Sequence, residues 1–206
     1  MVEFQIVALF ALLPLCLGML QLALLMAENH HIDHAAFQAA RRAAMAQGEL
    51  DTARRAFAQA SGVLFVDAGT EIGAGNSAAR VAAAYAAALS DQARFGRFRI
   101  LNPDAEAQAD FAIRRGNARV IPNDGLEYRS SAPGSRSGVS IQQANVLRLR
   151  VSWCRPLVVP LVRELLIGAL RRLDQDPWNQ YCYSQDRVPI QSEGVSPMQS
   201  DFRVSS

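Results

Sequence analysis

Phe4 to Ala27 reads FQIVALFALLPLCLGMLQLALLMA, 24 residues without a charge, in which Gln5 and Gln21 are the strongly polar members. At about 1.5 Å rise per residue a helix of this length covers roughly 36 Å, enough to cross a hydrocarbon core of about 30 Å with some tilt. A helix satisfies each backbone N–H and C=O internally, as lipid demands. A fully buried core helix is the alternative, but soluble cores seldom need so long an uncharged stretch. A cleaved secretory signal fits less well. Its apolar core is shorter, its start carries Lys or Arg where this chain has Glu3, and no small-x-small site follows here. The expectation is one retained span, with Pro14 removing a backbone hydrogen bond and bending the helix.

The flank after the span fits translocation. The first basic residue of the chain is Arg41, and a flank without Lys or Arg is permitted to cross the membrane. Helical signals continue past the span. Ile32, Ala36, Ala39, Ala43, Ala46, Leu50, Ala53, Phe57 and Ala60 recur at steps of four and three, an apolar stripe over four heptads that lets another helix or a sheet approach closely. Gly48 is the point where that helix kinks or ends. The organisation expected is therefore a transmembrane helix over 1–27, its amphipathic continuation over 28–61, and an extracytoplasmic α+β domain with an antiparallel sheet over 62–206.

Composition narrows the function classes. The 21 basic residues are all arginine, against 19 acidic ones, and the net charge is +2. So small an excess, spread without a block or basic-aromatic clusters, gives no reason to expect nucleic-acid binding. Cys16 lies in the span; Cys154 and Cys182 fall beyond it, where a disulfide in an oxidising compartment is expected and two free thiols are the alternative.

Within 62–206, Asn76 or Ser77 caps a helix to about Gln92 with Val81, Tyr85, Ala88 and Leu89 on one face. Phe98 and Ile100 mark a short strand, Glu106 to Arg115 a short helix, and Ala118 to Arg129 a hairpin around Pro122–Gly125. Ser130 to Ser140 is expected to be a mobile loop. The clearest strand has Leu147, Leu149, Val151 and Trp153 on one side and Arg148, Arg150 and Ser152 on the other. Leu157 to Leu173 is too charged, with Arg163 and Glu164 at its centre, for a second span. It reads as an amphipathic helix starting near Pro160, with Leu161, Val162, Leu165, Leu166, Ala169, Leu170 and Leu173 as its apolar face. Packing on the sheet is favoured over lying on a membrane surface.

Candidate chemistry is thin. His30 and His34 stand one helical turn apart with His31, Glu28 and Asp33 beside them, a spacing workable for two metal ligands. With no third ligand fixed by the sequence, a polar collar at the headgroup level is preferred and no metal is assigned. Gly69 to Gly75 is glycine-rich but lacks the lysine of a phosphate cradle, and reads as a turn before a helix. Asp174 and Asp176 read as solvated turn residues. Neither a nucleophile elbow nor a zinc-protease motif is present, so neither an enzyme nor a cofactor is expected.

Val2-Glu3-Phe4, followed by Leu12-Leu13-Pro14-Leu15, Gly18 and then Ala35-Ala36-Phe37-Gln38-Ala39-Ala40-Arg41-Arg42-Ala43, resembles the TadE-like family, minor pilin-like proteins of the tight adherence pilus machinery. The match covers about the first 45 residues. A weaker echo comes from Arg187-Val188-Pro189-Ile190 and Met198-Gln199-Ser200. The resemblance implies a precursor cut by a prepilin peptidase after a glycine, leaving a glutamate near the new N-terminus. No glycine precedes Glu3 here; if Glu3 stands for the family's fifth mature residue, two residues before Met1 are absent. It also implies that Glu3, with Phe4 and Pro14, serves subunit assembly, Glu3 by neutralising a neighbouring subunit's N-terminal amine, since an unpaired buried charge is costly. The expected function is that of a minor pilin-like (pseudopilin) subunit or assembly factor. Its partners would be other pilin-like subunits, the pilus assembly machinery, inner-membrane lipid and prepilin peptidase. Its place would be the bacterial inner membrane, single-pass with the C-terminal domain periplasmic, or the extracellular pilus itself. The alternative is a membrane-tethered periplasmic ligand-binding or sensing domain unrelated to pili.

Overall fold

The computed structural model describes Gln5, residues 8–66 and residues 77–204. A π-helical stretch, Ala8–Leu12, runs into helix α1, Leu13–Met45. Pro14 lies just past that junction. It has no N–H to donate and its ring crowds the preceding turn, and a widened turn there is one way to accommodate both. Then follow α2 (Leu50–Ser61), a 3-10 turn (Gly62–Phe65), α3 (Ser77–Phe95), β1 (Gly96–Asn102), α4 (Ala105–Phe111), β2 (Ile113–Arg115) and β3 (Ala118–Ile121). After a 3-10 turn at Leu126–Tyr128 come α5 (Ile141–Ala144), β4 (Val146–Pro156), α6 (Pro160–Leu173), α7 (Pro177–Ser184), β5 (Arg187–Pro197) and β6 (Phe202–Arg203). The architecture is a long apolar N-terminal helix followed by a mixed α and β region. One sheet has the order β1-β4-β5 and the other β2-β3-β6, the latter antiparallel throughout.

The chain divides into two compact units, Met1–His31 with Ser152–Gln191, and Ile32–Val151 with Ser192–Ser206. The second of these is built on the alanine stripe of α1. Ile32, Ala35, Ala36, Ala39, Ala40, Ala43 and Ala44 are buried, and the surface that covers them includes strand β5. A Cβ placed on Gly194 of β5 would overlap the Ala36 carbonyl and stand 2.9 Å from the Ala40 Cβ, so glycine on the strand and alanine on the helix let two backbones meet. The stripe does not run on as one helix. Gln47 and Gly48 take φ of 56° and 80°, the Gly48 N–H reaches back to the Ala43 carbonyl at 2.8 Å, and this left-handed cap ends α1. The stripe resumes in α2, where Ala53 and Phe57 are buried and Phe57 meets Phe98 of β1 edge-on at 5.3 Å.

Leu147, Leu149, Val151 and Trp153 are all fully buried, so the alternation read from β4 is the one observed. Helix α3 turns inward by Ala84, Ala88 and Gln92 and leaves Val81 exposed, so the expected face is rotated, and Gln92 Nε2 donates to the Arg54 carbonyl of α2 at 3.0 Å. The helix expected over Glu106–Arg115 stops at Phe111. Residues Ile113–Arg115 pair with Ala118–Ile121, and the hairpin turn falls on Gly116-Asn117 instead of Pro122–Gly125. Gly116 at φ 58° supplies the left-handed residue that so tight a turn needs. The serine-rich stretch after Arg129 is irregular but pinned. The Asp110 carboxylate accepts from the backbone N–H of Arg136 at 3.0 Å, from that of Ser137 at 2.8 Å and from the Ser137 hydroxyl at 2.8 Å. The glycine-rich stretch Gly69–Gly75 and Asn76 lie outside the described residues.

Candidate functional site: a membrane and assembly interface

The surface of residues 8–26 is dominated by exposed apolar side chains. Leu9, Phe10, Leu12, Leu15, Met19, Leu20, Leu22 and Met26 are each more than half exposed. Isolated exposed leucines are ordinary, whereas a contiguous apolar sleeve marks a membrane or protein interaction surface. The apolar helix is long enough to cross a membrane on its own length and composition. Pro14 is half-buried within it, and Cys16 is exposed as a free thiol. Glu3 and Phe4 lie outside the described residues.

One polar residue of the sleeve is not exposed. Gln21 is 1% exposed, and its Oε1 accepts the backbone N–H of Val159 at 2.8 Å. Val159 is the N-cap of α6 and has no side-chain cap of its own, and Pro160 at the first helical position has no N–H to satisfy. Gln21 therefore supplies the acceptor for the first open donor of α6. Two turns further along α1, Glu28 meets Arg155 of β4, with Nε to Oε2 at 3.2 Å and Nη2 to Oε1 at 3.4 Å. The guanidinium stacks over Trp153, 4.6 Å from the ring centre. Arg155 is 5% exposed, so its charge is held by a carboxylate and an aromatic face together. Between these two ties, Leu25 packs against a cluster of Leu157, Ile167, Tyr183 and Val188, with Leu166 and Leu170 beside it.

Cys154 and Cys182 are joined, with Cα atoms 5.3 Å apart, linking β4 to α7 across 28 residues. The start of α7 is capped by Asp176, which accepts from the N–H groups of Trp178 and Asn179. Asp174 is drawn below the usual carboxylate range by the Asp176 N–H, then by the Asn179 amide and the Tyr183 hydroxyl. Burial, then the bond to Asp174, pushes the Tyr183 phenol up to about 12. Asp174 and Asp176 are thus working turn and cap residues.

His30, His31 and His34 are all exposed, and no group of three or more candidate ligands is assembled among the described residues. Elsewhere, an open groove of about 820 Å³ lies among α1, α2 and α3, with Arg42, Thr52, Arg55, Val81 and Tyr85 in its walls.

Sequence reading singled out the span but gave Gln21 no partner and missed the Glu28–Arg155 pair. The signal for Gln21 was present, since a polar residue inside an uncharged run needs a partner. Nothing local marks Arg155 among 21 arginines. Comparison with protein-family models, with curated proteins and with solved structures gives no match.

Proposed function

We propose that this chain is a minor pilin-like subunit or assembly factor of a tight adherence pilus, held in the bacterial inner membrane by α1 with the rest periplasmic. The observation that carries the reading is the exposed apolar sleeve of α1, joined to the resemblance over the first 45 residues. Action is by helix packing and protein–protein binding, without covalent chemistry. The alanine stripe, expected as the helix-packing surface, is largely covered by the chain's own structure over 32–44. Neighbouring subunits would therefore meet the leucine, methionine and phenylalanine surface of the sleeve, in lipid or in a filament. The disulfide is in keeping with an oxidising compartment.

The test is the N-terminus and intact mass of the protein from native membranes, with and without prepilin peptidase. A peptidase-dependent N-terminus that places Glu3 fifth is the expected result. An identical, unprocessed start in both strains would remove the pilin-like reading. The groove walled by Arg42, Thr52 and Arg55 favours the second reading, a tethered ligand-binding domain, which would show a ligand-dependent rise in melting temperature.

A further inference from the structure

Helix α6 has more apolar surface than its own cluster uses. Ile167 is buried and Leu166 and Leu170 are partly so, but Leu165 is 66% and Leu173 81% exposed, and Val158 just before the helix is 64% exposed. Leu165, Ala169 and Leu173 are spaced by four and form a flank of the helix beside the packed one. This corrects the expected single face, which divides into an inward edge and an outward edge.

The ties to α1 give the depth at which that outward edge sits. The Val159 N–H is bonded to Gln21, six residues inside the end of the uncharged run at Ala27. Six residues of helix rise about 9 Å. Leu25, still within the run, packs with Leu166 and Leu170. If α1 spans a bilayer, the start of α6 lies about 9 Å below the level where polar residues begin, which matches the roughly 5–10 Å immersion of an interfacial amphipathic helix. The helix also carries three arginines, Arg163, Arg171 and Arg172, against one glutamate, Glu164, a balance suited to phosphate headgroups.

We propose that α6 is a second membrane-contacting element, half-immersed in the leaflet that α1 leaves, with Val158, Leu165 and Leu173 in the acyl boundary and anionic phospholipid headgroups as the partner. The proposal rests on the reading of α1 as a span.

The test uses the full chain in nanodiscs of phosphatidylcholine and phosphatidylglycerol containing a nitroxide-labelled lipid. An environment-sensitive fluorophore is placed on one new cysteine at a time in a Cys16→Ser background, the disulfide left oxidised. The sites are Leu22→Cys in the span, Val158→Cys, Leu165→Cys and Leu173→Cys at the proposed contact, and Tyr128→Cys, 88% exposed, as the aqueous reference. All are exposed positions, so none removes core packing. Quenching at Leu22 and, about twofold above the Tyr128 reference, at two or more of the three α6 sites is the expected result for an interfacial helix. Quenching at Leu22 with the α6 sites no more quenched than Tyr128 overturns the proposal and leaves the span standing. Absence of quenching at Leu22 overturns the span, and the proposal with it.

Discussion

At Gly194 the backbone of β5 lies against the backbone of α1 with no side chain between them. A methyl group added there meets the Ala36 carbonyl, an atom of a helix that cannot give way cheaply. Gly194→Ala is expected to lower stability by about 1–3 kcal/mol, as overpacking does. Gly168 is the contrast, since a Cβ there meets nothing within 4 Å and the residue sits inside α6. Gly168→Ala should raise stability by up to about 1 kcal/mol through helix propensity. Thermal melting of the two variants in one detergent compares them directly. Gln21 offers another single-residue test: Gln21→Leu keeps the volume but leaves the Val159 N–H without its acceptor, for an expected loss of about 1–3 kcal/mol. Faster hydrogen exchange at Val159 than in the parent chain checks that the lost bond is the one named.

The elements were legible in the sequence to the extent that one physical signal dominated each. The uncharged run gave the long helix, Gly48 gave its end, and strict alternation gave β4. Short segments with competing signals were not legible. Ile113–Arg115 continues a helical pattern on paper, but it pairs as a strand because Gly116 lets the chain reverse. The face of α6 was misread because periodicity reports how many apolar residues share a side, not how many neighbours there are to cover them. Neither the Gln21–Val159 bond nor the Glu28–Arg155 pair was legible, each joining residues more than 100 apart in sequence. The Cys154–Cys182 bridge belongs to this scale as well, because it closes a loop containing α6. In the chain-entropy account a loop of 28 residues is worth about 3–4 kcal/mol. Denaturant midpoints with and without reductant should differ accordingly, and Cys154→Ser should remove the difference.

Over the whole molecule the charged groups make stability depend on pH at both ends of the scale. Glu193 is drawn below its ordinary 4.5 by Arg150 and then Arg148. Asp124 is drawn below 3.8 by Arg115, and Asp110 by the Ser137 N–H. Folded values that lie below the unfolded ones stabilise the fold above the ordinary carboxylate value, and the benefit is lost as pH falls through the folded values. Melting temperature should therefore change little on the neutral side of about pH 5 and drop below about pH 4, with a shallower drop in Glu193→Gln. Tyr183 runs the other way. Its folded value of about 12 lies above the ordinary 10, so its contribution is complete below pH 10 and is lost as pH rises towards 12. Tyr183→Phe should flatten that alkaline decline. The bridge has one more effect on the whole chain, because all of α6 lies between the two cysteines. A protease that cuts anywhere from 155 to 181 makes two fragments that remain a single covalent object. Such a nicked molecule would migrate as one band on a gel until a reductant is added, and would keep α6 attached to its anchor after its backbone had been severed.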